Sequence, residues 1–420
     1  MVLSVRVLRR CGGALVIRAT TLAALPAAGE ALLLIEADSG KVLQADNATV
    51  PWHPASVTKL MTTYVTLRAV KDGRLSLDRV LNVSGNAAAQ QPSKMGFKPG
   101  SKVTVDNALK MLLVKSANDM AVVLAEGVGG SVDKFAAEMN RSAQRLGMTQ
   151  SNFVNPNGLP ADAQITSARD LAILARALIR DFPEYDYYWH IAAIKMGRKV
   201  MRNYNMLIDR YPGADGMKTG FICASGFNLV ASATRGNRRL IAVVLGASSG
   251  TARAEKAAQL LEKGFSGDGG LSWLMPAFGT VDGLAPVAAS PPDLHEEVCG
   301  KNRHRQASED EPVVVVNDRD PSSAYSSVTL DLRNRHASLL GPLTPSAPPV
   351  EVYLGPGRKQ RQIAAVAPAK PAAQTQISPP AAQAPWNLFA PAPTASAAPS
   401  ELAAAPPPDV VPLPRPRPRR

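Results

Sequence analysis

The sequence predicts an α+β fold, in the broad α/β class: one antiparallel sheet flanked by helices. Three observations point there. Strand patterns stand at both ends of the ordinary globular sequence, helical patterns fill the middle, and a turn-rich segment makes the closing strands a hairpin. A sheet built from both ends would set its first and last strands side by side.

Ala31–Ala37 is an apolar run read as a strand. Asp38-Ser39-Gly40 is a turn signal, and Lys41–Ala45 returns as a second strand. After Pro54, apolar periodicity from Ser56 to about Val70 predicts a helix. Further helical patterns cover roughly 104–114, 117–127, 131–146 and 167–180. Phe227–Thr234 and Leu240–Leu245 are separated by Arg235-Gly236-Asn237-Arg238-Arg239 and read as the hairpin. A last helix is expected over about 252–264. Beyond it, Val313–Val316, Ser327–Leu332 and Val350–Leu354 are candidate short strands, forming either a small second domain or an addition to the first.

Composition bounds the rest. Of 35 prolines in the 420 residues, 20 fall after residue 340, where the sequence is rich in alanine and poor in large aliphatics. Such a segment cannot bury enough apolar surface to offset chain entropy, so 341–420 is expected to be a disordered, basic Pro/Ala-rich tail. The net charge is +13. Arg415, Arg417, Arg419 and Arg420 alternate with prolines, as either an arm for an anionic surface or a solvated terminus. No recognised module supports nucleic-acid binding. Arg6, Arg9 and Arg10, an apolar stretch from Cys11 to Leu25 and small residues up to Gly29 resemble a secretory signal over 1–29, although Arg18 interrupts it. Export to the periplasm or cell envelope is therefore expected. In an oxidising compartment Cys223 and Cys299 could pair, if their Cα atoms approach. The sequence has neither HExxH nor cysteine spacing for a metal, and it calls for no cofactor.

Three short motifs occur in order: Ser56-Val57-Thr58-Lys59, Ser116-Ala117-Asn118 and Lys218-Thr219-Gly220. Ser56 and Lys59 share a helix face. A serine hydroxyl needs a base, and Lys59 can be that base only when neutral, which requires burial or a nearby cation such as Lys218. A serine opening a helix is also an ordinary N-cap. Ser131-Val132-Asp133-Lys134, after two glycines, has the same spelling and reads as a cap; Ser84-Gly85-Asn86 imitates the second motif among turn residues. Ser116 could relay a proton and Asn118 could bind a substrate amide or orient a lysine, although a capped helix junction has the same look. Lys218-Thr219-Gly220 reads as an edge strand beside a cleft, with Gly220 letting substrate backbone approach and the cation and hydroxyl suiting a carboxylate.

With their flanks, the motifs resemble those of penicillin-recognising serine enzymes, and specifically the D-alanyl-D-alanine carboxypeptidases, the low-molecular-mass penicillin-binding proteins. The carrying segments are Pro54–Thr62, Ser116–Asp119, Asn155–Pro160, Thr166–Ala172, Asp215–Gly220 and Ala224–Ser232, over about 31–266. The resemblance implies a serine β-lactamase/transpeptidase-like fold with a catalytic domain over 30–268, followed by a poorly defined extension over 269–340. It implies that Ser56 attacks the penultimate D-alanine carbonyl of a peptidoglycan pentapeptide, and that water then frees the acyl-enzyme. The oxyanion hole would be the backbone N–H groups of Ser56 and Phe221. Lys218, Thr219 and Arg253 would hold the terminal carboxylate, Asp170 would be structural, and β-lactams would acylate Ser56. Ile222 departs from the threonine of many members, and no amphipathic membrane-anchoring helix is found, so membrane attachment does not carry over. A class A β-lactamase would need a deacylating carboxylate in a Glu-x-x-Leu-Asn setting, which is missing. A D,D-endopeptidase uses the same chemistry; a non-catalytic wall-binding scaffold would predict a broken motif set.

Overall fold

The computed structural model describes residues 29–267, 278–301, 314–315 and 338–355, all within one compact unit that ends at Gln360. The expected leader, the Ser327–Leu332 strand and the arginines near the C-terminus lie outside the described residues.

Strands β1 (Ala31–Glu36) and β2 (Val42–Asp46) form the expected first hairpin. Five strands line up as β2-β1-β9-β8-β7, with β7 at Ala214–Ile222, β8 at Gly226–Arg235 and β9 at Arg238–Ala247, and every pairing is antiparallel. β1 pairs with β9 from Ala31↔Leu245 to Glu36↔Leu240, so the opening and closing strands do lie together. Arg235 faces Arg238 across the β8–β9 turn, where Gly236 takes φ +59°, a left-handed backbone that glycine adopts at no steric cost. β8 and β9 are buried at consecutive positions, which requires cover on both sheet faces. α6 (Ala168–Asp181) and α8 (Gly250–Ser266) both pack on β1, β8 and β9.

The helices between the strands sit where the periodicity places them. α1 (Lys59–Lys71) is buried along most of its length, which explains its weak amphipathic pattern: α3 (Val105–Val114), α4 (Asn118–Gly129), α5 (Val132–Leu146) and α6 surround it. Sequence reading missed the short pieces: the β3/β4 ladder (Val80–Asn82 with Lys102–Thr104), α2 (Gly85–Ala88), α7 (Tyr187–His190) and the hairpin β5/β6 (Ala193–Met196, Lys199–Arg202). The hairpin carries Lys195, Arg198, Lys199 and Arg202, so it shows no apolar run.

Two boundaries are corrected. The packed body expected over 30–268 does not stop at 268. Thr280 bridges to Lys41, Val281 is buried, and α9 (His295–Cys299) follows Leu294 and contributes Val298 to the core. Nor does residue 341 begin a free tail. Leu340 and Val352 are buried in the same core. The N–H groups of Gly341, Thr344 and Gly355 donate to the carbonyls of Arg210, Asp209 and Lys102. The short strands β10 (Val314–Val315) and β11 (Val350–Glu351) pair with β6 and β5, so these segments add to the first body and build no second one. Proline content misled here because an extended edge segment tolerates proline, and two buried side chains with a few backbone hydrogen bonds suffice to seat it.

Candidate active site

The first motif does not open an α-helix. Ala55–Thr58 form a 3-10 turn that runs into α1 at Lys59, and no side chain caps it. In 3-10 geometry side chains at i and i+3 eclipse each other. That stacks Lys59 over Ser56, with Nζ 2.7 Å from Oγ. Ser56 is thus not spent as a cap, whereas Ser131 accepts the Lys134 N–H and caps α5, and Ser84 caps α2. Ala55, immediately before the nucleophile candidate, holds φ +49°, a costly conformation for a residue with a Cβ.

Lys59 has no exposed surface. Besides Ser56 Oγ, its Nζ donates to Asn118 Oδ1 at 2.8 Å and to the Asn157 carbonyl at 2.6 Å. Asn118 is the first residue of α4. Its Nδ2 donates to the Gln91 carbonyl, which turns Oδ1 toward the lysine, and its N–H donates to the Ser93 carbonyl at 2.8 Å. Ser116 is buried and sits at φ +58° between α3 and α4, two residues before Asn118.

The Asn157 carbonyl is a candidate site group that sequence reasoning missed. Asn155–Pro160 resembled a family segment, but a backbone acceptor has no side-chain signature. Gly158 at φ +81° makes the arrangement possible: a Cβ there would lie 1.8 Å from the Ala55 carbonyl oxygen. Thr62 Oγ1 donates to the Pro156 carbonyl, and Asn157 Nδ2 donates to Gln90 Oε1 at 2.8 Å, pinning the turn from both sides.

The third motif lies on β7, the sheet edge, as expected. Lys218 and Thr219 are buried, and Lys218 Nζ donates to the Thr219 carbonyl at 2.9 Å. Thr219 Oγ1 is buried without a hydrogen-bond partner among the described residues, an orphan that a ligand oxygen would satisfy. Gly220 also has a structural reason to lack a side chain: a Cβ there would stand 2.8 Å from both the Ser56 and Val57 nitrogens, so its absence admits the backbone of the Ser56 turn against β7. Asn228 on β8 fastens the same junction, donating to the His53 and Pro54 carbonyls. Arg253, near the start of α8, is buried. It donates to the Asn228 carbonyl at 3.3 Å and lies over the Phe227 ring, which stacks on Phe221 at 4.3 Å.

Cys223, just past Phe221, is disulfide-bonded to Cys299 of α9, with the Cα atoms 5.6 Å apart. Asp170 is fully buried at α6, where it accepts from Gln150 N–H and Ser151 Oγ and pairs with Arg169. Burial pushes its carboxyl pKa up, against the pull of those bonds. It supports the fold and touches none of the motif residues named above. Among the described residues no acidic, histidine and cysteine cluster could hold a metal, and no helix is long and apolar enough to cross a membrane.

The family model for D-alanyl-D-alanine carboxypeptidase matches residues 18–249. The chain is 40% identical over 243 residues to the D-alanyl-D-alanine carboxypeptidase DacC of Escherichia coli, a match covering 56% of this chain and 60% of that one. Among solved structures it resembles the D-alanyl-D-alanine carboxypeptidase DacD of Francisella tularensis, with TM-score 0.55 and 33% identity over 58% of this chain and 71% of that one. It also resembles Penicillin-Binding Protein D2 of Listeria monocytogenes in its cefotaxime-bound form, with TM-score 0.51 and 30% identity over 56% and 96%. These likenesses bear out the expected penicillin-binding-protein fold; the match spans somewhat less than two thirds of the DacC relative.

Proposed function

The chain belongs to the D-alanyl-D-alanine carboxypeptidase family, and on that premise we propose that it is a serine-type hydrolase that removes the terminal D-alanine from peptidoglycan pentapeptides. The observation that carries the reading is the setting of Lys59 Nζ. Asn118 Oδ1, turned by its Nδ2 bond, and the Asn157 carbonyl can only accept hydrogen bonds there, whereas Ser56 Oγ can also donate. A neutral amine has two N–H groups and one lone pair. In that neutral form the two carbonyl oxygens take both N–H groups and the lone pair is left for the Ser56 hydroxyl, whereas an ammonium would donate to all three oxygens. Burial favours that neutral form.

Ser56 Oγ then attacks the penultimate D-alanine carbonyl as its proton passes to Lys59. The oxyanion is received by the Ser56 and Phe221 N–H groups. Ser116 relays a proton to the leaving amine, D-alanine departs, and water hydrolyses the ester to regenerate the hydroxyl. Thr219 Oγ1, Lys218 and Arg253 bind the terminal carboxylate. A β-lactam enters the same site and acylates Ser56. Work in the cell envelope suits the Cys223–Cys299 bond, since disulfides persist in oxidising compartments.

The test uses the full chain with a pentapeptide ending in D-Ala-D-Ala. D-alanine is released by the parent, and Ser56→Ala lowers the rate on the order of a thousandfold or more. Turnover that survives in the variant rejects the mechanism.

A further inference from the structure

A buried tyrosine that no motif announced closes a ring of hydrogen bonds behind the second motif. Tyr204 lies between β6 and β7 and is 4% exposed. Lys115 Nζ donates to its hydroxyl and lies 4.9 Å from its ring centroid. The hydroxyl is 3.4 Å from Ser93 Oγ, which donates to the Lys115 carbonyl at 2.9 Å. A lysine ammonium only donates, so the phenol oxygen accepts from Lys115, and the Ser93 hydroxyl, which donates to the Lys115 carbonyl, lies within hydrogen-bond reach of the phenol.

The two residues gripped in this ring flank the reacting groups. Lys115 directly precedes Ser116, the left-handed residue of the second motif. The Ser93 carbonyl accepts the N–H of Asn118, whose Oδ1 in turn receives Lys59. The phenol therefore ties the loop that holds Asn118 to the junction that holds Ser116, while the backbone carbonyl of the same residue accepts from Arg253 Nη2 at 3.5 Å.

We propose that Tyr204 is a positioning residue for acyl transfer, acting through Lys115 and Ser93 on Ser116 and Asn118. The proposal rests on the serine acyl-enzyme reading above. It places the effect of the hydroxyl on the chemical step. Thr219, Lys218 and Arg253, the carboxylate side of the site, lie on β7 and α8, and Arg253 reaches Tyr204 at its backbone carbonyl, which a change of the tyrosine side chain leaves in place.

Tyr204→Phe keeps the ring and its packing and deletes only the hydroxyl. The experiment measures the rate of Ser56 labelling by a fluorescent penicillin, normalised to the sites that finally label. It also measures kcat and KM for D-alanine release, and Tm. Tyr204→Phe lowers the labelling rate and kcat about tenfold and leaves KM within about twofold. Lys115→Met, the second variant, does the same, and the double variant is no slower than either single one, as expected of one shared device. A labelling rate per active site equal to the parent, with or without a fall in Tm, overturns the proposal. So does a rise in KM at unchanged kcat, or losses that multiply in the double variant. A parent protein that never labels on Ser56 overturns the acyl-enzyme reading itself, and the proposal with it.

Discussion

Ser56–Lys59 and Ser131–Lys134 place the same two residue types at the same spacing, and the fold uses them in opposite ways. Ser131 begins a regular helix on the surface of the helical layer. Its hydroxyl accepts the Lys134 backbone N–H, and Lys134 is exposed. Ser56 lies in a tighter turn whose own N–H groups do not claim its oxygen, and Lys59 has no access to solvent. The difference comes from what packs on top. Over the first tetrad sit Asn118 from α4, the Asn157 carbonyl from a turn far along the chain, and β7 with no side chain at Gly220. The candidate site is therefore assembled by tertiary packing around a spelling that, left alone, caps a helix.

The comparison is broken most sharply at the lysines. Lys59→Arg should lower penicillin acylation on the order of a thousandfold, because a guanidinium stays protonated and cannot take the serine proton. Lys134→Arg should leave it unchanged. Appreciable acylation by Lys59→Arg, read by mass spectrometry of the adduct, would argue against a lysine base. Gly158→Ala comes next. The added methyl group meets the Ala55 carbonyl, at a φ that disfavours any Cβ. We expect a loss on the order of 3 kcal/mol in denaturant unfolding, together with a fall in acylation as the Ser56 turn is displaced. Parent-like stability would mean that the turn is free to move away. The smallest effect sharpens the other side: Ser131→Ala should cost about 1 kcal/mol, seen as a Tm lower by roughly 2–4 °C, at unchanged D-alanine release.

Much of this arrangement is legible in the sequence because side chains carry it. The order of the three motifs, the strands from Ala31 and Phe227, and the helices from about 104 to 180 all rest on residue identity and apolar period. What stayed hidden is carried by backbone or by geometry. The Asn157 acceptor is a carbonyl that every residue possesses. Tyr204 sits in a loop without periodicity, and its role depends on Lys115 and Ser93, both distant in the chain. The segment from Leu340 to Gly355 reads as tail because its few anchors, Leu340 and Val352, stand far apart with prolines between them. Gly220 was singled out, yet its closeness to the Ser56 turn depends on a neighbour distant in the chain.

The bond between Cys223 and Cys299 reaches beyond the site it adjoins. It spans 76 positions of sequence and joins the turn next to Phe221 to a helix downstream of the last major helix. Closing a circuit of that length restricts the denatured chain by about 4 kcal/mol in a loop-entropy description. A molecule made in a thiol-rich cytosol forgoes that sum, whereas one secreted unfolded acquires it on arrival. For the envelope enzyme proposed above, completing the fold would in this way be tied to arrival in an oxidising compartment.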